Sequence, residues 1–224
     1  HQPNQNCLNK HMDIEQLEGG LWVPSRDAQI EQWRDQGHPH MQDRCLRHFS
    51  QWCEQHRRRF RSVVDIGAWC GTWSREMHRF ADRIDAFEPH PVHYQCLELN
   101  TRPYRRIHAH CRAIGNREDL VALSQESATQ NTRVLPKAGA VPMTTLDQVA
   151  RPDTDLVKMD VEGFEMTVLQ GGQRTIQRTR YLMIELNNNG KRYGSSNRSI
   201  EEYLEGIGFQ TLIKTWPDTV YHRP

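Results

Sequence analysis

The sequence predicts a doubly wound α/β domain, in which parallel strands alternate with helices. From residue 61 onward, apolar runs of strand length alternate with segments of helical periodicity. A glycine-bearing turn follows the first of these strands and opens a helix, over residues 62–74. A second polar patch, 158–165, follows a later apolar run. Doubly wound sheets bind ligands at the carboxyl ends of their strands, so both segments are candidates for a functional site.

Composition fits one globular domain of ordinary size. The chain has 224 residues, and its 29 basic and 28 acidic side chains give a net charge of +1. This balance provides no global field that would draw the chain to nucleic acid or to a membrane. No apolar run approaches the ~20 residues of a membrane span. We expect residues 1–60 to form an N-terminal tail and helical extension that packs on the core, and residues 61–224 to form the core.

The cysteines and the first residues of the sequence predict a cytoplasmic location. The six cysteines form no Cys-x-x-Cys pair and no zinc-like spacing. We therefore expect free thiols in a reducing cytoplasm. No charged segment followed by an apolar one, as in a signal peptide, opens the sequence.

The N-terminal extension contains one predicted loop and two predicted helices. Residues 1–11 are polar and patternless, so we expect a floppy end. Glycine and proline in segment 19–24 predict a loop with an exposed aromatic side chain. Capping residues and apolar spacing predict a helix over 25–36 and a longer helix over 41–59.

The core segment alternates strands and helices. Parallel strands are predicted at 62–66, 83–87, 107–111, 155–159 and 180–186. Helices are predicted at 73–81, 91–99, from 145, at 164–170 and at 200–205. Shorter strands are predicted at 120–123 and 141–145, and an antiparallel hairpin is predicted at 209–214 and 219–222. The polar segment 124–139 predicts a mobile loop that borders a substrate site.

The turn after the first core strand carries two glycines and a carboxylate. Gly67 and Gly71 let the backbone pass close to a ligand. Trp69, however, stands where the dinucleotide fingerprint has its second glycine, beside the pyrophosphate. The carboxylate of Asp65 at the strand end repels a phosphate and suits a ligand with a cationic ammonium group. S-adenosylmethionine has an ammonium, a sulfonium and no phosphate, and it therefore fits this pattern.

The second core strand ends in Glu88, at the position where such folds bind a ribose diol. Glu88 follows Asp65 by about 20 positions, and a carboxylate there accepts hydrogen bonds from two hydroxyls. Together the two motifs predict S-adenosylmethionine as the cofactor. The alternative is a structural glycine turn with a surface glutamate, because short motifs alone are weak signals.

The carboxyl ends of the fourth and fifth core strands carry a dense group of polar residues. The fourth strand leads into a lysine and three carboxylates: Lys158, Asp160, Glu162 and Glu165. The fifth strand adds a carboxylate and an amide, Glu185 and Asn187. The position predicts a catalytic site. The structural alternative is a helix cap formed by Asp160 with glutamates on the surface.

In order and spacing, these segments resemble the FkbM family of S-adenosylmethionine-dependent methyltransferases, over about residues 61–209. The segments that carry the resemblance are Val64-Asp65-Ile66-Gly67-Ala68 with Gly71, Trp73 and Ser74, Phe87-Glu88-Pro89, Thr145-Leu146-Asp147, the run 158–165 with Val168-Leu169 and Gly171, and Ile184-Glu185. The resemblance implies a Rossmann-like class I methyltransferase fold. Its seven-stranded, mostly parallel sheet has an antiparallel last strand and helices on both faces. The implied chemistry is O-methylation of hydroxyls on sugars and polyketide-type products.

The resemblance and the motifs assign a role to each candidate residue. The predicted cofactor-binding residues are Asp65, Gly67, Ala68, Trp69, Gly71, Thr72, Glu88, Pro89, Ala113, Ile114 and Asp160. Among them, Asp65 and Gly67 are expected at the methionine part, Glu88 at the ribose, and Ala113 or Ile114 at the adenine edge. The predicted catalytic residues are Asp160 as leading general base, Glu162 and Lys158.

A metal site is a further prediction at the same strand ends. Asp160, Glu185 and Asn187 offer the hard oxygen ligands that suit Mg²⁺ or Ca²⁺. Such an ion would hold substrate oxygens and lower the pKa of a hydroxyl. Salt bridges from Lys158 or Arg192 to these carboxylates are the alternative.

Two other functions remain open on the sequence alone. One is a cofactor-fold binding module that has lost catalysis. The other is a nucleic-acid methyltransferase, suggested by the arginines Arg102, Arg105, Arg106 and Arg112. Base-methylating enzymes carry an Asn/Asp-Pro-Pro-aromatic motif after the fourth strand, where this chain has Asp160-Val161-Glu162-Gly163. We therefore expect a small-molecule or glycan acceptor, with nucleic acid less favoured and no membrane partner.

Overall fold

The structure is a computed structural model that describes residues 14–25, 27–35, 44–126 and 131–224. Its strands are β1 (Ile14–Gln16), β2 (Trp22–Pro24), β3 (Ser62–Ile66), β4 (Ile84–Phe87), β5 (Ile107–His110), β6 (Ala113–Gly115), β7 (Asp119–Leu123), β8 (Val134–Ala138), β9 (Val141–Thr145), β10 (Thr154–Met159), β11 (Tyr181–Glu185), β12 (Gln210–Thr215) and β13 (Asp218–His222). Its α-helices are α1 (Ala28–Asp35), α2 (Arg44–Gln55), α3 (Thr72–Met77), α4 (Pro91–Thr101), α5 (Leu146–Val149), α6 (Glu165–Gly171), α7 (Gln173–Arg178) and α8 (Asn197–Gly206). The predicted floppy end at 1–11 lies outside the described residues.

A seven-stranded sheet forms the centre of the molecule, in the order β12-β13-β11-β10-β3-β4-β5. The five strands from β11 to β5 pair in parallel, whereas β13 pairs antiparallel with both β11 and β12. The predicted sheet, with its antiparallel last strand and closing hairpin, is therefore confirmed. All five residues of β3 are buried, because this strand lies in the interior of the sheet between β4 and β10.

Helices cover both faces of the sheet, and alternate strand residues point to opposite sides. On β3, Val63 belongs to one apolar cluster and Val64 to the other. The first cluster includes Phe49 of α2 and Leu97 of α4, whereas the second includes residues of α6, α7 and α8. The N-terminal helix α2 is thus part of the core packing. Within the described part of the chain, no helix combines the length and apolarity needed to cross a membrane.

A second, four-stranded sheet, β6-β9-β7-β8, lies beside the main one. The sequence predicted strands close to β7 and β9, but it missed β6. The predicted loop over 124–139 is also wrong in part, because residues 134–138 form β8. This strand pairs antiparallel with β7, and Val134 is buried. Pairing with a partner strand satisfies the backbone of a segment whose own side chains show no strand pattern.

The N-terminal residues also depart from the prediction. Segment 19–24 was expected to be a loop with an exposed aromatic, but β2 pairs antiparallel with β1 and Trp22 is partly buried. Leu21 and Val23 are buried. The predicted helix over 25–36 corresponds to α1, and the second helix, α2, ends at Gln55 rather than at residue 59. The chain turns there because Arg57 adopts a left-handed backbone conformation, with φ 49°.

Replacing Gly171 by alanine should destabilise the fold, because α6 lies directly against β6. A Cβ at Gly171 would lie 2.0 Å from the carbonyl oxygen of Gly115. Backbone atoms cannot yield without strain, so we expect a loss of about 1–3 kcal/mol in the free energy of unfolding, measured by urea denaturation. The matched control is Gly206→Ala, where a Cβ meets open space. This variant should be neutral or stabilising by up to about 1 kcal/mol, and equal effects of the two changes would contradict the packing argument.

Candidate active site

The carboxyl ends of the central strands surround a cavity of about 710 Å³. This size lies within the ~300–1,000 Å³ range of small-molecule sites. One part of its wall is formed by predicted cofactor residues: Gly67, Ala68, Trp69, Thr72, Glu88, Pro89, Ala113 and Ile114. Another part is formed by the polar residues Lys158, Asp160, Glu162, Glu185, Asn187 and Asn189. Folding thus brings both sequence segments, separated along the chain, to a single cavity.

Gly67 is the point at which the two segments meet. Its φ is 75°, a left-handed conformation that favours glycine, and a Cβ there would lie 1.8 Å from the carbonyl oxygen of Asp160. Gly71, also left-handed, caps α3 from behind the cavity wall, where a Cβ would lie 2.7 Å from Leu97. At Gly67 the turn therefore packs against the end of β10, and neither glycine position has room for a side chain.

Glu88 is buried at the cavity wall and organises the turn from the neighbouring strand. One carboxylate oxygen accepts the backbone N–H of Trp69 at 2.9 Å, and the other accepts the backbone N–H of His90 at 2.8 Å. His93 Nδ1 lies 3.5 Å from the same carboxylate. Burial alone would raise the pKa of Glu88, but the hydrogen bonds from His93 and from the two backbone amides outweigh it and lower the pKa. Glu88 is therefore a charged acceptor at neutral pH.

Lys158 links the two strand ends beneath the cavity. Its Nζ donates to the carbonyl oxygen of Gly67 at 2.7 Å and lies 3.2 Å from Asp65 Oδ1 and 3.7 Å from Asp160 Oδ2. Burial alone would lower the pKa of Lys158, but Asp65 and Asp160 outweigh it and raise the pKa above its usual value. Lys158 is therefore held as an ammonium ion in this arrangement.

Asp65 is placed behind the cavity wall rather than in it. Its side chain is fully buried, and its second oxygen accepts a hydrogen bond of 2.6 Å from the hydroxyl of Ser74. Lys158 contacts one oxygen and Ser74 donates to the other, so the charge of the Asp65 carboxylate is compensated within the protein. Its influence on a ligand would pass through Lys158 and the Gly67 turn.

Three carboxylates converge on the other side of the cavity: Asp160, Glu162 and Glu185 each have an oxygen within 4.8 Å of the others. Burial, followed by the charge of Asp160, raises the pKa of Glu162 to about 7. Burial and the charges of Asp160 and Glu162 raise the pKa of Glu185 well above its usual value. The surroundings therefore favour the protonated forms of Glu162 and Glu185.

The amides of Asn187 and Asn189 act on this carboxylate group as donors. Asn187 Nδ2 donates to Glu185 at 2.7 Å and to Glu162 at 3.3 Å, and Asn189 Nδ2 donates to Glu162 at 2.7 Å. The oxygen of Asn187 accepts the backbone N–H of Asn189. The structure thus brings the predicted metal ligands Asp160, Glu185 and Asn187 together, but with Glu162 as the third carboxylate and the Asn187 oxygen turned to the backbone.

The backbone at Glu162 and Trp69 is strained. Glu162 has φ 54° and Trp69 has φ 47°, conformations that are rare for residues with side chains, and both residues line the cavity. Such strain is concentrated at functional sites. Next to Glu162, a Cβ at Gly163 would lie 2.6 Å from the backbone of Asn189. Glu165 accepts the backbone N–H of Gly163 at 3.1 Å and is buried, so its role is to stabilise this turn.

Several cavity residues were missed by the sequence analysis. Gly19 and Leu21 come from the N-terminal hairpin, and His93 comes from α4. No local pattern marks them, because they reach the cavity only through tertiary packing. Asn131, Thr132 and Val134 lie in the segment 124–139, which the sequence predicted to border the substrate site. Tyr193 holds that segment through a hydrogen bond of 2.7 Å to the Val134 carbonyl.

Sequence comparison agrees with this arrangement. The pattern of the methyltransferase FkbM domain matches residues 65–211, well over half of the chain. The chain belongs to the FkbM methyltransferase family. The matched region begins at Asp65 and includes both cavity-lining segments, so the predicted resemblance is confirmed. A search among curated proteins gave no match.

Solved structures share the FkbM chain's fold at low sequence identity. The methyltransferase FkbM from Methylobacillus flagellatus KT is 19% identical, with a TM-score of 0.53 over 73% of this chain and 43% of that one. This chain thus spans less than half of that protein. An rRNA methylase from Streptococcus thermophilus is 11% identical (TM-score 0.52, 82% and 99% covered). The N-methyltransferase NodS from Bradyrhizobium japonicum WM9, in complex with S-adenosyl-L-homocysteine, is 10% identical (TM-score 0.51, 89% and 95% covered). At these identities the likeness shows the class I methyltransferase fold alone.

Glu162 should contribute a loss of stability to the ligand-free FkbM chain as the pH rises from about 5 to about 8. Up to about pH 7 the folded protein keeps a proton on Glu162, whose pKa is about 7, whereas the unfolded chain releases it near pH 4.5. The folded state therefore binds more protons, and the free energy of unfolding falls with rising pH. This contribution is complete below the unfolded pKa and is lost as the pH passes through the folded pKa.

Melting temperatures in a pH series measure this effect. The Glu162→Gln variant should show a smaller loss of stability over this pH range than the wild type, because one of the carboxyl groups with a raised pKa is gone. Glu205→Gln, at an exposed glutamate on α8, should follow the wild-type curve. A Glu162→Gln curve parallel to the wild type would show that the pKa of Glu162 is not raised.

Proposed function

We propose that this protein is an S-adenosylmethionine-dependent methyltransferase that O-methylates a hydroxyl of a sugar, a glycan or a related small molecule. The proposal rests on one observation: the predicted cofactor residues and a group of three carboxylates line the same cavity. Glu88 and the Gly67–Gly71 turn form one wall, and Asp160, Glu162 and Glu185 form the other. Family membership supports methyl transfer, and the position at the strand ends supports a nucleoside ligand.

The cofactor side of the cavity fits the cationic nucleoside that the sequence predicted. Glu88 is charged, lines the cavity and has carboxylate lone pairs beyond the two used by backbone amides, so it suits the ribose diol. Gly67, Ala68, Trp69 and Thr72 would lie along the methionine part. Asp65 and Gly71 would support them from behind the wall. Pro89 and the Ala113–Ile114 backbone would border the nucleoside.

On the acceptor side, the chain supplies a base and alignment. S-adenosylmethionine carries its methyl group on a cationic sulfonium, which is a good leaving group. A sugar hydroxyl is a poor nucleophile, so its proton must pass to a base as it reacts. Asp160 lines the cavity and is our leading base, with Glu162, whose pKa is about 7, as the second. Lys158 is proposed to act as a fixed cation that holds Asp160 in place.

A divalent cation would fit the carboxylate group. Burial and the charge of Asp160 raise the pKa of Glu162, and burial with the charges of Asp160 and Glu162 raises the pKa of Glu185. A cation between these carboxylates would relieve the repulsion. Hard oxygen ligands of this kind suit Mg²⁺ or Ca²⁺, which would polarise a substrate hydroxyl when bound. Asp160, Glu162 and Glu185 would be the carboxylate ligands, and Asn187 would join them if its amide turned over.

The other candidate functions have weaker support. A fold shared with an rRNA methylase does not indicate that this chain has the same substrate. In addition, the segment 160–163 lacks the motif of base-methylating enzymes. Backbone strain at Glu162, next to other carboxylates, is typical of a functional site and argues against an inactive binding module. The described cysteines, Cys45, Cys53, Cys70, Cys96 and Cys111, are free thiols, which supports the proposed cytoplasmic location.

Replacing Glu88 by glutamine should weaken binding of S-adenosylhomocysteine by about 10- to 100-fold. The change removes the charge that strengthens hydrogen bonds to the ribose, and such bonds contribute about 1.5–3 kcal/mol. Isothermal titration calorimetry measures the affinity. The control is Glu98→Gln, at an exposed glutamate on α4, which should bind like the wild type. Equal affinities for Glu88→Gln and the wild type would remove Glu88 from the cofactor site.

Replacing Asp160 by asparagine should reduce methyl transfer by about 10²- to 10⁴-fold, the usual contribution of a general base. The assay follows label from S-adenosylmethionine into a panel of sugars and nucleotide-sugars. Asp82→Asn, at an exposed aspartate next to the opposite end of the sheet, is the control and should retain full activity. If the wild type neither binds the cofactor nor labels any acceptor, the proposed function is wrong.

The same assay after EDTA treatment decides the metal proposal. Loss of activity that Mg²⁺ or Ca²⁺ restores would support the cation, and unchanged turnover would exclude it while leaving the general base in place.

A further inference from the structure

The N-terminal hairpin forms part of the cavity wall, although it precedes the region that the family pattern matches. Gly19 and Leu21, between β1 and β2, line the same cavity as Glu88 and Trp69. The family pattern begins only at Asp65. The hairpin therefore contributes to the cofactor side of the site from outside the family core.

The hairpin has its own small apolar cluster, separate from the two clusters on the faces of the sheet. Leu21, Val23 and Ile30 form this cluster, and Leu17 and Trp69 pack against it. Trp69 belongs to the glycine turn and has a strained backbone, with φ 47°. The apolar contact of the hairpin is thus made with the turn that borders the cofactor side, and it depends on the position of that turn.

Asn100 on α4 connects the hairpin to the turn by three hydrogen bonds. Its Oδ1 accepts the backbone N–H of Trp22 at 2.7 Å, and its Nδ2 donates to the Trp22 carbonyl at 2.7 Å and to the Cys70 carbonyl at 2.8 Å. Its side chain is buried. These bonds need one acceptor and two donors at a single planar group, which a side-chain amide provides and a carboxylate does not.

We propose that residues 14–25 form a strap over the cofactor side of the cavity, and that Asn100 is the positioning residue that couples this strap to the glycine turn. A ligand that orders Trp69 and the turn would also order the strap, because Asn100 and the Trp69 contact join them. By linkage, an ordered strap would strengthen binding of the ligand by the same free energy. This inference rests on the proposed function, since it takes the ligand to be S-adenosylmethionine or its product.

Hydrogen exchange of the wild-type chain, with and without S-adenosylhomocysteine, tests the coupling directly. The amides of residues 14–25 should become protected when the ligand binds, together with those of the glycine turn. Protection of the turn without any change in the hairpin would overturn the strap while leaving the cofactor site intact. If the wild type does not bind S-adenosylhomocysteine at all, the proposed function fails and the strap fails with it.

The Asn100→Asp variant tests the positioning role. The carboxylate keeps an acceptor for Trp22 N–H but faces the carbonyls of Trp22 and Cys70 without a donor. We expect about tenfold weaker binding of S-adenosylhomocysteine and loss of the ligand-induced protection of residues 14–25. The matched control is Asn116→Asp, at an exposed asparagine, which should keep both. Wild-type affinity and protection in Asn100→Asp would overturn the proposal.

A second variant serves if Asn100→Asp does not fold. Leu21→Ala keeps the Asn100 hydrogen bonds and trims only the side chain at the cavity wall, in a cluster separate from the main core. It should melt at a somewhat lower temperature than the wild type, because Leu21 is buried. It should remain folded and bind S-adenosylhomocysteine at least about threefold more weakly, because it removes apolar surface at the cavity wall. Leu120→Ala, at an exposed leucine, is its control. Equal affinity in the two leucine variants would count against the strap.

Discussion

The buried ammonium of Lys158 is the interaction on which the cavity depends. It lies between the ends of β3 and β10 and contacts the Gly67 carbonyl, Asp65 and Asp160 at once. Without a cation there, the buried carboxylate of Asp65 would be uncompensated, and an unpaired buried charge typically costs about 3–5 kcal/mol. The same contact fixes the Gly67 turn against the end of β10. The shape of the site and the charge balance beneath it therefore have one physical origin.

The acidic wall of the cavity is held in an electrostatically unfavourable state. Asp160, Glu162 and Glu185 lie close together in partly buried positions, and burial together with the charge of Asp160 disfavours ionisation of Glu162 and Glu185. The left-handed backbone at Glu162 adds strain that the surrounding turn has to maintain. Amides from Asn187 and Asn189 offset part of the repulsion. A group kept in this state takes up a proton readily, which suits the general base that we propose.

Two further parts of the cavity wall come from the second sheet and from the N-terminal hairpin. The second sheet places Val134 at the cavity and is held by a hydrogen bond from Tyr193. The N-terminal hairpin is held chiefly through Asn100 and Trp69. Neither element belongs to the central sheet.

The sequence by itself determined the doubly wound core, the glycine turn after β3 and the acidic ends of β4, β10 and β11, because these features are local. Apolar periodicity marks a strand, and a glycine or carboxylate directly after it marks the strand's end. The sequence could not determine that Lys158 compensates the charge of Asp65, that segment 134–138 is a strand, or that the hairpin reaches the cavity. These depend on contacts between distant residues, such as Lys158 with Gly67, 91 positions apart, and Asn100 with Trp22, 78 positions apart. Only tertiary packing decides such contacts, since no local pattern encodes which distant partner a buried polar group will meet.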